Sequence, residues 1–364
     1  MKTIIFIPPN GILKKHDFSL QRIANVLETD STMKSVLIYI DNQQDNNIGH
    51  FDEIYKVNSK QELIEKIKEI NYDIIFSRGW MHAYPFCAEL VKKFDNVIVN
   101  IKDWNFATKE EYKFLFGNDD DFDAIEYIFK NAKHILPHYT TQQAKLWLKE
   151  YQLEKDKFVF FPEYCNIVKN DISIKKFTNS IVFAGAFSSS TYPKRFFVSK
   201  DMLKAIDVIT KQKIKLTYVL PPQFYDSLDE RLFKDYFYED KFNKYFDLQR
   251  GKELDSSVLR KHKYAIFSPI INKKRNNKLF KYAVPSKFAF YLEANIPMIV
   301  NKKMKSLSSL VKNNNLGVVV SNKDMKNISK ILESFNYEEL VDNIRKYKRT
   351  FTYDNSNLKE ILCN

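Results

Sequence analysis

Short, predominantly apolar runs alternate along this chain with amphipathic segments, and that alternation constrains the fold most tightly. Residues 3–7 form one such run, ended by Pro8-Pro9-Asn10-Gly11. Residues 35–40, 73–76 and 96–101 form others. Strands covered on both faces read this way, and parallel strands need a crossover between them. Residues 60–70 supply one, with Leu63, Ile64, Ile67 and Ile70 on a single helical face. Further helices are expected at 20–27, 86–93 and 123–131. The apolar run 134–137, a helix at 142–151 capped by Thr140-Thr141, and a strand at 157–161 closed by Pro162 complete this half. Such alternation implies a parallel sheet with helices on both faces.

A linker at 163–179 separates a second half. There a strand at 180–184 runs directly into Gly185-Ala-Phe-Ser-Ser-Ser190. A helix at 200–211, a strand at 214–220 and a long polar, aromatic stretch to Gln249 follow, then a strand at 264–268. Amphipathic helices at 325–335 and 337–347 come late in the chain. A length of 364 residues suits two domains of ordinary size. No repeat of about 20–50 residues is present. The 44% hydrophobic content supports folding rather than disorder.

Cys87, Cys165 and Cys363 are odd in number and scattered, which suggests neither a zinc site nor a disulfide framework. The first apolar run is too short for a signal peptide, and no stretch approaches the roughly 20 apolar residues of a spanning helix. The expectation is a cytoplasmic protein. The net charge of +13 fits nucleic acid, an anionic membrane surface or phosphorylated ligands, as well as a plain lysine-rich surface. One tight basic cluster stands at Lys273, Lys274, Arg275 and Lys278, but no nucleic-acid module accompanies it.

The segment 284–300 carries the sharpest chemistry. Pro285 suits the first position of a helix, where its missing N–H is no loss. The N–H groups of Ser286 and Lys287 then fall among the unpaired donors of that terminus, and Lys287 adds a cation. Such a terminus suits a diphosphate. Phe288, Tyr291 and Leu292 share one inward face, Asn295 stops the helix, and Met298 opens a buried strand.

This segment resembles the Pro-Ser-Lys, aromatic helix, Pro, apolar strand signature of GT-B glycosyltransferases. There it commonly reads Pro-Ser-Lys-Leu-Phe-Glu-Tyr-Leu-Ala-Ala-Gly-Lys-Pro-Val-Ile. It is most similar to a bacterial galactofuranosyltransferase-like, glycosyltransferase family 4-like group. Two departures stand out. An acidic residue that holds the donor ribose in many relatives aligns with Phe290, and the usual Gly before the Pro is Asn295.

The resemblance implies an α/β, GT-B architecture of two Rossmann-like domains whose parallel sheets face a cleft. Residues 1–165 would bind the acceptor and 179–364 the nucleotide sugar, with the C-terminal helix packing back on the first domain. Gly185, with basic Lys194 and Arg195 downstream, would join Pro285, Ser286 and Lys287 in holding the donor diphosphate. The alternative for each is an ordinary loop glycine, a solvated cation or a plain helix start. An inverting enzyme needs a base for the acceptor hydroxyl. Asp17, His82 and Asp103 stand near expected strand ends, with Asp103 preferred and His82 second.

The run Asp119-Asp120-Asp121-Phe122-Asp123 contains an Asp-x-Asp pattern that could hold a metal, but acids also favour a helix N-terminus. Trp80, Trp104 and Trp147 could stack on sugars or fill the core. The reading is a glycosyltransferase with a nucleotide-diphosphate sugar, foremost a UDP-sugar, as substrate and no obligatory metal. Its acceptor would be a bacterial surface glycan, glycolipid or glycoprotein. Partners would include an anionic membrane surface but no nucleic acid. Alternatives are a GT-B sugar-nucleotide epimerase and a silent partner subunit.

Overall fold

The computed structural model describes the chain apart from residues 14–19, 21, 24–26, 28–29, 42–49, 103, 105–108, 138–147, 166–178, 186–201, 221–229, 251–255, 268–269, 272–280, 354–356 and 364. Two units result: Met1–Asn166 with Tyr353–Asn364, and Ile167–Thr352.

Unit 1 is built on β1 (Lys2–Ile7), β2 (Met33–Ile40), β3 (Glu53–Val57), β4 (Ile74–Gly79), β5 (Val97–Ile101) and β6 (His134–Pro137). They lie in the order β3-β2-β1-β4-β5-β6, every neighbour parallel. The inner strands β4 and β5 are buried at every residue, which is why their sequences do not alternate. β3 escaped the sequence reading. It is an edge strand, Glu-Ile-Tyr-Lys-Val, with Ile54 42% exposed, and its polar residues hide it.

The helix Lys60–Glu69 is capped by Ser59, whose hydroxyl accepts the Glu62 N–H at 3.2 Å, and it buries Leu63, Ile64 and Ile67. The expected strand at 157–161 is not one. Val159 and Phe161 donate N–H bonds to Ile135 and Pro137 at 2.9 Å, yet β6 is only four residues long and offers no room for a longer ladder. Half of the expected helix at 20–27 and most of that at 142–151 fall outside the described residues.

Unit 2 carries β7 (Ser180–Ala184), β8 (Lys215–Val219), β9 (Phe246–Gln249), β10 (Tyr264–Ile266), β11 (Met298–Asn301) and β12 (Gly317–Val320). The order is β12-β11-β10-β7-β8-β9, again parallel throughout. Counted from its own first strand, this sheet repeats the order of unit 1. Each unit is therefore doubly wound, and its strand order reverses between first and fourth strands: β1 and β4 in one, β7 and β10 in the other. Ligands of such sheets bind outside the carboxyl ends of the strands at that reversal.

The stretch read only as polar and aromatic folds into the helix Glu230–Phe242 followed by β9. Phe233 and Tyr236 face the core of unit 2, while Tyr238 and Phe242 face solvent. The segment expected as one helix at 325–335 splits into a 3-10 turn, Asp324–Asn327, and the helix Ile328–Glu333. Helix Tyr337–Thr350 follows. The chain then re-enters unit 1, where Tyr353 and Leu362 join a core built on Ile4, Phe6, Leu37, Phe76 and Ile98. No helix among the described residues is long and apolar enough to cross a membrane.

Candidate functional site

In unit 2 the strands at the reversal part early. β7 and β10 pair only at Ile181–Tyr264 and Val182–Ala265, whereas β7 stays with β8 through Ala184 and Gly185, whose N–H reaches the Val219 carbonyl at 3.0 Å. Tyr291 fills the gap. Its hydroxyl accepts the Ala184 N–H at 3.0 Å and donates to the Ile266 carbonyl at 3.2 Å, so two buried backbone groups left by the parting strands are satisfied. Full burial pushes the phenol pKa upward, keeping that hydroxyl a donor.

Tyr291 thereby fixes the helix Lys287–Glu293 at the mouth of the crevice. Pro285 stands two residues ahead of that helix rather than at its first position. Its carbonyl accepts the Phe288 N–H at 2.9 Å, and Ser286 already has helical dihedrals. The Lys287 ammonium lies 3.9 Å from the centre of the Phe183 ring. It also lies 3.1 Å from where a β-carbon on Gly185 would sit. Gly185 has φ +117, a conformation side chains disfavour. Two residues 102 positions apart, 287 less 185, thus meet at one strand end.

Asn295 ends the helix in the left-handed conformation, φ +52. The N–H groups of Asn295 and Ile296 bond back to Leu292 and Tyr291 at 3.0 and 3.1 Å, closing a Schellman turn. Here asparagine does something glycine cannot: its Oδ1 accepts from the buried Lys348 ammonium at 2.9 Å. Phe290, in the place of the relatives' acid, is 7% exposed. The nearest acid on the helix, Glu293, is also buried, and its carbonyl accepts from Arg260 at 3.2 Å.

The corresponding place in unit 1 is organised around His82. This residue has φ +65, rare for a side-chain-bearing residue. Its N–H donates to Asp121 Oδ2 at 2.7 Å and its carbonyl accepts from Asn10 Nδ2 at 2.9 Å. Asn10, in the loop after β1, is itself left-handed at φ +56. The peptide of His82 is held on both sides while its side chain stays exposed, 5.8 Å centre to centre from the Tyr112 ring. Tyr112 donates its hydroxyl to the same Asp121 oxygen. Asp121 is 1% exposed, and burial raises its carboxyl pKa. Backbone strain of this kind gathers at functional sites.

The rest of the acidic run is engaged too. Asp119 and Asp123 lie 3.6 and 3.4 Å from Lys109, and the run opens the helix Asp120–Asn131. Among the described residues no group of His, Cys, Asp and Glu has a metal-holding arrangement. Trp104 is core, 2% exposed between Tyr84 and Phe122. Asp17, Asp103, Trp147, Lys194, Arg195 and the basic cluster 273–278 lie outside the described residues. Sequence reading passed over the roles of Asn10 and the Tyr291 hydroxyl, and it weighed Asp121 only as a metal ligand or a helix-start acid. The Pro-Pro-Asn-Gly turn and the acidic run are the signals that marked the first and the last of them.

Residues 269–355 match the family described as Glucosyltransferase 3-like, C-terminal domain. That span contains Pro285, Ser286 and Lys287. No curated protein matches the sequence significantly. Among solved structures, HepE of Anabaena in complex with UDP-glucose is 11% identical, with TM-score 0.62 and 100% of both chains covered. WaaG, a glycosyltransferase involved in lipopolysaccharide biosynthesis, is 12% identical at TM-score 0.56, covering 99% of this chain and 98% of that one. The lipopolysaccharide outer core galactosyltransferase WaaB is 10% identical at TM-score 0.57, with 99% of each chain covered.

The chain has the GT-B fold of these glycosyltransferases. The resemblance drawn from the Pro-Ser-Lys segment is thereby borne out, as is the architecture of two Rossmann-like units. In this GT-B chain the matched family span supplies the helix with Lys287, and β7 ahead of that span supplies Gly185.

Proposed function

We propose that this chain transfers a sugar from a nucleotide-diphosphate donor, a UDP-sugar foremost, to a hydroxyl of a bacterial surface glycan, glycolipid or glycoprotein. The observation that carries the reading is the meeting of Gly185 and Lys287 at the β7 strand end, inside a unit most of whose second half matches a glucosyltransferase family. A glycine in that conformation lets a phosphate approach the backbone, and the lysine supplies its counter-charge. The crystallised neighbour HepE holds UDP-glucose, which supports a uridine nucleotide.

In this reading unit 2 takes the donor, with Lys194 and Arg195 adding charge, and unit 1 takes the acceptor. Asp103 or His82 removes the acceptor proton if the stereochemistry inverts. Turnover needs no divalent metal, since Asp119, Asp121 and Asp123 already serve Lys109, His82 and Tyr112. The protein works in the cytoplasm, with contact to an anionic membrane surface.

Calorimetric titration of UDP and of uridine into wild type and Lys287→Ala tests the donor site. The variant is expected to bind UDP about 10–100-fold more weakly and uridine unchanged, the size of one charged hydrogen bond. Equal losses for both ligands would place the lysine away from the diphosphate.

A further inference from the structure

The helix Glu230–Phe242 and the strand after it present a surface that nothing in the sugar-transfer reaction uses. Between residues 231 and 250 the exposed described side chains are Arg231, Lys234, Tyr238, Lys241, Phe242, Lys244 and Arg250. Every one is cationic or aromatic. The acids of the same stretch, Asp235, Glu239, Asp240 and Asp247, are half-buried, and the last three make local bonds. Asp240 accepts the Leu248 N–H at 2.6 Å, Glu239 accepts from Asn243 at 2.9 Å, and Asp247 accepts from Gln249 at 2.9 Å. Tyr238 and Phe242 are 63% and 62% exposed, one helical turn apart, with ring centres 4.6 Å from each other. Lys241 stands 5.2 Å over the Phe242 ring. The other face of the helix is ordinary core, through Phe233 and Tyr236.

We propose that this face docks on an anionic phospholipid surface. Cations near such a surface are attracted to its negative potential, and aromatic rings settle at headgroup depth. A close, tilted pair of rings standing in solvent, on a stretch whose other exposed side chains are cations, fits that boundary better than a protein groove, which would offer partners for the rings but not a field for the lysines. A second copy of this chain is a poor occupant, because two faces of the same positive sign would meet. The proposal deepens the membrane contact put forward above and does not depend on the sugar or the acceptor.

The test is co-sedimentation of the full chain with vesicles of phosphatidylglycerol mixed with phosphatidylcholine, and with phosphatidylcholine alone. The variants are Tyr238→Ser with Phe242→Ser, and Lys234→Glu with Lys241→Glu. All four positions are exposed, so circular dichroism is expected to be unchanged. Wild type should bind the anionic vesicles, weaken as salt rises, and ignore the neutral ones. Each surface cation contributes roughly 1 kcal/mol near anionic lipid. The charge-reversed variant should therefore partition at least about tenfold less, and the serine variant should also fall.

Wild type that ignores anionic vesicles overturns both this face and the membrane contact, while leaving the UDP titration to stand or fall alone. Binding that both variants retain overturns the face only. Equal binding to neutral vesicles overturns the charge argument. A concentration-dependent oligomer that the serine variant dissolves would give the face to a second copy instead.

Discussion

The carboxylate of Asp121 and the backbone N–H of His82 are 2.7 Å apart, and through that bond a buried acid holds a strained residue at the strand reversal of unit 1. Burial keeps this carboxyl above the usual carboxylate range. A carboxyl whose folded pKa exceeds its unfolded one contributes most when protonated, and that contribution is lost as pH rises through the folded value. Asp121→Asn removes the titration. Wild type should therefore lose stability relative to Asp121→Asn as pH climbs from the ordinary carboxylate range through the raised value. Urea unfolding of both proteins at several pH values checks this. Parallel curves would mean that Asp121 titrates normally.

For an inverting reaction, Asp103→Asn should lower turnover by about 10²–10⁴-fold with little change in donor affinity, since the amide keeps the shape and loses the proton acceptor. Steady-state rates with saturating donor measure it. Near-normal turnover moves the role to His82, whose replacement by asparagine should then show that loss.

Tyr291→Phe removes one oxygen and leaves two buried backbone groups, the Ala184 N–H and the Ile266 carbonyl, without it. A loss of about 2 kcal/mol in unfolding free energy is expected. Hydrogen exchange should quicken at the Ala184 amide, which distinguishes a local opening of the crevice from general loosening.

Asn295→Gly restores the residue usual in relatives and suits φ +52, yet it should destabilise by about 1.5–3 kcal/mol. The cause is the buried Lys348 ammonium, which loses an acceptor at 2.9 Å. Placed on top of Lys348→Met, the same change should cost far less, and a double-mutant cycle by denaturant unfolding measures the coupling.

Transfer should survive a chelator once donor and acceptor are in hand. Activity that vanishes with EDTA and returns with manganese or magnesium would require Asp119 to Asp123 to leave Lys109, His82 and Tyr112 for a metal.

Much of the fold was legible because most strands of both sheets carry a run of adjacent apolar residues and helices punctuate them. Residues 180–184 were read to the residue, and β11 opens at Met298 as expected. What escaped was amphipathic in a less familiar way. β3 is an edge, so only alternate residues are covered. The helix Glu230–Phe242 exposes two aromatics that blur its apolar stripe. Lys287 was legible because Pro-Ser-Lys marks a helix start locally. The clamp on His82 was not, because Asn10, His82 and Asp121 are joined by backbone groups, which carry no mark in the sequence.

Unit 1 is discontinuous, and its core needs Tyr353 and Leu362 beside residues as early as Ile4. A ribosome makes the chain in order. All of 167–352 must therefore be synthesised before unit 1 receives its last two core side chains. Unit 2 has every residue it needs sooner, so the second-made unit is the first that can finish folding. The first-made one waits, incomplete, until translation has passed Leu362.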